Sequence, residues 1–166
     1  MRNALLIALL LFNAAPTLAA EEPSGCDKFK WPIEHERAAL TAPDRVKLAS
    51  GTELATVPAT AMTFALVTPT EARLPTRPER APKDGTFAGF ARFKTVPKSG
   101  IYTISLSAGA WIDVVQEGHA LKPRGFSGAT DCDGIRKTIK YEISANPFVL
   151  QISGDNAVSV AILPAE

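Results

Sequence analysis

The stretch Gly100-Ile101-Tyr102-Thr103-Ile104-Ser105-Leu106 decides the fold class, because Tyr102, Ile104 and Leu106 recur at period two against Thr103 and Ser105. Side chains alternate between the two faces of a strand, so such a row buries one face and leaves the other polar. The turn Pro97-Lys98-Ser99-Gly100 precedes it and Ala108-Gly109 follows it. Across that second turn, Ala110-Trp111-Ile112-Asp113-Val114-Val115 is expected to fold back as its hairpin partner, closed by Glu117-Gly118. Working outward, Gly89, Ala91 and Phe93 alternate with Arg92 and Lys94 on one side. On the other, Ile139, Tyr141 and Ile143 are followed by Phe148, Leu150 and Ile152, then by Val158, Val160 and Ile162, with Asn146-Pro147 and Gly154-Asp155-Asn156 as turns. About five or six strands at this spacing predict an all-β fold, an antiparallel β-sandwich of jelly-roll type. No amphipathic helix of ten or more residues separates the strands, so a parallel α/β sheet lacks its crossovers.

Toward the N-terminus the pattern loosens. Ala61 to Val67 places Met62, Phe64 and Leu66 at period two, a further half-buried strand. Pro69, Pro75, Pro78 and Pro82 then punctuate residues 69–84, which reads as an extended crossover over the surface because proline gives a sheet no donor. Upstream, Trp31-Pro32 opens Ile33 to Leu40, a short helix with proline in its first turn, Glu34 and Glu36 at its positive end, and Ala42-Pro43 as its stop. Its apolar face, Ile33 and Leu40 beside Trp31, suits a lid on a sheet. The expected organisation is a signal peptide at 1–20, an arm and short helix at 21–45, and the sandwich at 46–166.

The signal peptide follows from Met1-Arg2-Asn3, the apolar run Ala4 to Phe12, and Thr17-Leu18-Ala19-Ala20. That run is about half the ~20 apolar residues of a membrane span. Cleavage there leaves about 146 residues with no membrane span, in a periplasmic or extracellular location. The whole chain has 18 basic and 17 acidic residues, and Arg2 is the one charge in the leader, so the mature chain is neutral. A neutral domain lacks the electrostatic footprint of a nucleic-acid binder. Two cysteines remain after export, and Cys26 and Cys132 are expected to form a disulfide. The alternatives are a reactive thiol or metal ligand, or lipidation of Cys26 after Ser24-Gly25.

Several residues invite chemistry. Trp111 and Asp113 share a strand face, and an aromatic ring beside a carboxylate is a common way to hold a sugar; the competing assignment is a core tryptophan with Asp113 paired to Arg136 or Lys137. Gly125-Phe126-Ser127-Gly128-Ala129 approaches a nucleophile elbow without its second glycine and sits in an expected loop, with His119 and Asp113 as the remaining members of a hydrolase triad. Asp131-Cys132-Asp133-Gly134 places two carboxylates before a glycine turn, as calcium loops do, but fits no EF-hand register. Glu34 and Glu36 do not share a helix face, and no phosphate-cradling glycine motif occurs. No cofactor is implied by these residues.

The segment Gly100 to Leu106 followed by Trp111-Ile112-Asp113 is similar to the G-x-Y-x-aliphatic-x-aliphatic strand of secreted jelly-roll modules, among them pre-peptidase C-terminal domains and carbohydrate-binding PA14-like domains. The resemblance spans Phe87 to Leu163 and implies an accessory or binding role, with a glycan or an envelope protein as partner. Through Phe29-Lys30-Trp31-Pro32 and Trp111 to Val115 the chain also resembles small exported bacterial proteins, some of which are called homogentisate 1,2-dioxygenases. That name implies an iron held by two histidines and a carboxylate, for which the chain offers His35 and His119 alone. The sequence therefore favours an exported, non-catalytic binding protein of the cell envelope over a serine hydrolase or a dioxygenase.

Overall fold

The computed structural model describes residues 22–165, so the expected signal peptide at 1–20 lies outside the described residues. After one turn of 3-10 helix at Cys26–Lys28 come α1 (Glu34–Thr41), β1 (Val46–Ala49), β2 (Thr52–Leu54), β3 (Met62–Ala65), α2 (Pro69–Ala72) and β4 (Phe87–Phe93). The second half holds β5 (Gly100–Leu106), β6 (Trp111–Gln116), β7 (His119–Ala120), β8 (Gly125–Gly128), β9 (Lys137–Ile143), β10 (Phe148–Gly154) and β11 (Ala157–Pro164). They form two sheets, one of six strands in the order β1-β3-β11-β5-β9-β8 and one of five in the order β2-β4-β10-β6-β7. The fold is an all-β sandwich.

Its core is the set of alternating rows read from the sequence. Tyr102, Ile104 and Leu106 from one sheet meet Ile112, Val114 and Leu150 from the other, and all are buried. Each such side chain contributes about 1.5–3 kcal/mol by leaving water. Phe93 and Phe148, paired in register, stack with ring centres 4.8 Å apart.

Three expectations need correction. The sheets are mixed: β1 runs parallel to β3 and β2 parallel to β4. Each parallel pair is separated in the chain by a strand of the opposite sheet, and that excursion lets the chain return in the same direction. Second, β5 and β6 are not a hairpin. β5 pairs with β9 and β11, whereas β6 pairs with β10 and β7, so Ser107–Ala110 carries the chain from one sheet to the other. Both apolar rows then point into one core from opposite sides, which a hairpin would not permit. Instead β6 forms a tight hairpin with β7 through Glu117 and Gly118, both at positive φ (53° and 79°), as a turn matching strand twist requires. Third, Gly125–Gly128, expected as loop, is the edge strand β8 on β9.

Both sheets are covered on their outer faces as well. Helix α1 lies against β5 and β11, burying Ile33 and Leu40 with Ala161, Ile135 and Cys132 in a second apolar cluster. The expected lid is present, and it buries the polar row: Thr103 and Ser105 are inaccessible, and the Ser105 and Thr138 hydroxyls, opposite each other in register, have no hydrogen-bond partner. The arm is fixed by the Cys26–Cys132 disulfide and by backbone hydrogen bonds from Gly25 N–H to Thr130 O and from Thr130 N–H to Pro23 O, each 2.8 Å. Cys26 is thereby spent on a bond, which answers the reactive-thiol and lipidation alternatives.

Residues 69–84 cross the outer face of the five-stranded sheet. They begin with a helical turn that the sequence reading passed over, α2, which Thr68 and Glu71 close as a reciprocal capping box with Pro69 in its first turn. Further on, Thr76 donates through its backbone N–H (3.0 Å) and its hydroxyl (2.9 Å) to Oε1 of Gln151, a residue 2% exposed in the middle of that face. Among the described residues no helix is long and apolar enough to cross a membrane. That and the disulfide are compatible with a periplasmic or extracellular location.

Candidate functional site

Where the two sheets meet the proline-rich crossover, the chain leaves a cavity of about 480 Å³. Trp111, the first residue of β6, forms one wall together with Ser153 and Gly154 at the end of β10, its partner in register. Phe126 of β8 and Arg136 and Lys137 at the start of β9 form the second, and Arg80, Pro82 and Lys83 of the crossover the third. Strand alternation explains the placement. Ile112 and Val114 face the core, so Trp111 and Asp113 face outward, under the crossover.

Trp111 is half-buried and held from two sides. Its Nε1–H donates to Oδ1 of Asp113 at 2.8 Å, and the Arg80 guanidinium lies over its ring, 5.6 Å from the centre. Asp113 is only 5% exposed and pairs with the indole, not with Arg136 or Lys137 as the competing assignment had it. Burial pushes its carboxyl above the ordinary value, against the opposing pull of the Trp111 N–H, the Glu79 backbone and the Gln151 amide. The amide acts from outside good hydrogen-bond geometry, since Gln151 Nε2 makes no hydrogen bond. Asp113 therefore orients the tryptophan and does not itself face the cavity as a ligand group.

The opposite wall is basic. Burial lowers the Lys137 pKa, and the neighbouring Arg136 and Arg80 charges lower it further. Its Nζ lies 6.0 Å from the centre of the Phe126 ring, and Phe126 is 52% exposed. Among the described residues, the one carboxylate lining the cavity is Glu22 of the arm, which is ion-paired to Arg136. Sequence reasoning singled out Trp111 but missed Phe126, Arg80 and Lys83 as its neighbours. The adjacent pair Arg136-Lys137 at a strand start was a visible signal, and the convergence with the crossover exists only in three dimensions.

The other candidates are dispersed. Ser127 is 1% exposed, and its Oγ accepts the backbone N–H of Lys30 at 2.9 Å. His119 is exposed on β7, in the other sheet, and Asp113 is engaged with Trp111, so the proposed triad is not assembled. Asp131 accepts the Ser24 hydroxyl through Oδ2 at 2.6 Å, and the Asp133 backbone carbonyl accepts Arg37 Nε at 2.7 Å. The Asp131–Gly134 turn thus ties the arm and α1 to the disulfide. Among the described residues no three His, Cys, Asp or Glu side chains group as a metal-ligand set. His35 sits on α1 and His119 on β7, on separate sheets' layers, so these residues do not fit an iron held by two histidines and a carboxylate.

No family model, curated protein or solved structure matches this chain.

Proposed function

We propose that the chain is an exported, non-catalytic binding protein of the cell envelope, and that it takes a carbohydrate at the cavity beside Trp111. The observation that carries this reading is the fixed tryptophan. Its indole is oriented by Asp113 at 2.8 Å and lines an open cavity instead of filling the core, where Tyr102, Ile104 and Leu106 already pack. An oriented aromatic wall supplies contact area at little entropic cost to the protein. Export is inferred from the leader-like first twenty residues and agrees with a structural disulfide. The dispersal of Ser127, His119, His35 and the Asp131–Asp133 pair supports binding over catalysis. A glycan array read with the mature protein and with Trp111→Ala tests the proposal. Binding that depends on Trp111 is expected, and an array without Trp111-dependent signal from a variant of unchanged circular dichroism overturns it.

A further inference from the structure

A neutral sugar on an aromatic platform is usually held by a bare ring face and by carboxylates that accept its hydroxyls. The Trp111 cavity offers neither in that form. Arg80 covers a ring face, and the carboxylate beside the ring, Asp113, is buried beneath the crossover and occupied by the indole. The charged groups that line the cavity, among the described residues, are four cations, Arg80, Lys83, Arg136 and Lys137, against Glu22. In a chain whose mature form is neutral, this is a local concentration of positive charge. Among the described residues, Arg80, Lys83 and Lys137 form no ion pair, while Arg136 is paired to Glu22, whose own side chain is 68% exposed.

We propose that the ligand is an acidic saccharide, its carboxylate or sulfate seated among Arg80, Arg136 and Lys137 and its ring against Trp111 and Phe126. The inference rests on the carbohydrate-binding reading above and narrows its ligand class. Guanidinium groups match planar carboxylate and tetrahedral sulfate oxygens by paired N–H donors, and an ammonium adds a point charge. Glu22 already presents one carboxylate to Arg136, so the arm acts as a weak internal competitor at the cavity mouth. An incoming acid that replaces it also meets Lys137, which stands beside Phe126 and whose charge burial and the Arg136 and Arg80 charges disfavour.

The experiment compares each acidic oligosaccharide with its own uncharged form: trigalacturonate against its methyl ester, and a sulfated oligosaccharide against its desulfated parent, titrated into the mature protein by calorimetry. The acidic forms are expected to bind at least about tenfold more tightly, the ratio shrinking with added salt. Arg136→Gln and Lys137→Met are expected to remove that preference with thermal unfolding as the folding control, and Glu22→Gln to tighten acidic binding severalfold. Whichever of the two pairs binds identifies carboxylate or sulfate as the source of the charge. Equal binding of charged and uncharged forms overturns the acidic inference and leaves the carbohydrate reading standing. Failure of every saccharide overturns both, and so does inorganic sulfate binding as tightly as the oligosaccharides.

Discussion

Trp111 Nε1 and Asp113 Oδ1 lie 2.8 Å apart across a single strand, two residues removed, so the carboxylate that orients the ring belongs to the same face of the same β-strand. A contact of that kind needs no tertiary assembly beyond strand alternation, but its consequence does. Because the crossover closes over Asp113, the carboxyl is buried and costs stability when ionised.

That cost has a sign and a pH window. The folded protein holds the Asp113 proton to higher pH than the unfolded chain, whose value is near the ordinary 3.8. Below that value the group's contribution is fully favourable; it falls as pH rises toward the raised folded value and stays at its lower level above it. Asp113→Asn, which keeps an acceptor for the indole, is expected to flatten this part of the stability–pH curve. Asp113→Ala orphans the indole donor and is expected to cost about 1–3 kcal/mol at neutral pH. Urea unfolding of the three proteins from pH 3 to 8 measures both effects, and parallel curves for wild type and Asp113→Asn contradict the first.

The disulfide joins residues 106 apart and is the covalent anchor of the arm. Chain entropy assigns such a long loop up to ~4.7 kcal/mol, and native disulfides deliver about 2–4 kcal/mol. The paired substitution Cys26→Ser with Cys132→Ser is expected to lower the melting temperature by roughly 5–15 °C. Because Ser24, Gly25 and Lys30 hydrogen-bond to residues 127–131, amides of the arm should lose hydrogen-exchange protection before those of β5. Simultaneous loss across the chain would show that the arm is not a separable unit.

The alternation that placed Tyr102, Ile104 and Leu106 in the core was legible in the sequence because burial on one face writes itself as a period of two. Which sheet each strand joins was not. Ser107–Ala110 has the turn residues of a hairpin, yet it is a crossover, since the choice depends on β9 and β11 outcompeting β6 for the edges of β5. The polar row Thr103 and Ser105 looked solvent-facing and is buried, because Ile33 and Leu40 lie some sixty residues upstream and bring α1 over it. At the site, Trp111 was legible as an outward aromatic. Its basic neighbours were not, as Arg80 and Lys83 arrive on a crossover whose path is set by two hydrogen bonds to Gln151.

Gly134 occupies a position that only glycine fills without cost. Its φ is 82°, and a Cβ there would stand 2.4 Å from Cγ2 of Thr41 at the end of α1. Gly134→Ala is expected to destabilise the fold by about 1–3 kcal/mol, part from the left-handed backbone and part from the clash. Thr41→Ser removes the methyl and retains the hydroxyl that bonds the Arg37 carbonyl. In the double variant the steric part should be recovered and the backbone part should remain, so a thermodynamic cycle of the four proteins yields a favourable coupling. Strict additivity refutes the close approach.

Gln151 is the anchor of the crossover that carries Arg80 to the cavity. Its Oε1 receives both Thr76 hydrogen bonds, while its Nε2 is buried and unpartnered, so the residue is retained at a cost in unsatisfied hydrogen bonding. Gln151→Ala is expected to free the crossover while the two sheets stay folded, since the core row of β10 is Phe148, Leu150 and Ile152. Trypsin should then cut after Arg73 and Arg80 much faster than in the wild type, with the melting temperature lowered only slightly. The same loosening moves Arg80 away from the Trp111 ring, and the tryptophan fluorescence should change in step with cleavage susceptibility. Unchanged cleavage with unchanged emission would mean that the crossover is held by its prolines and α2, independently of Gln151.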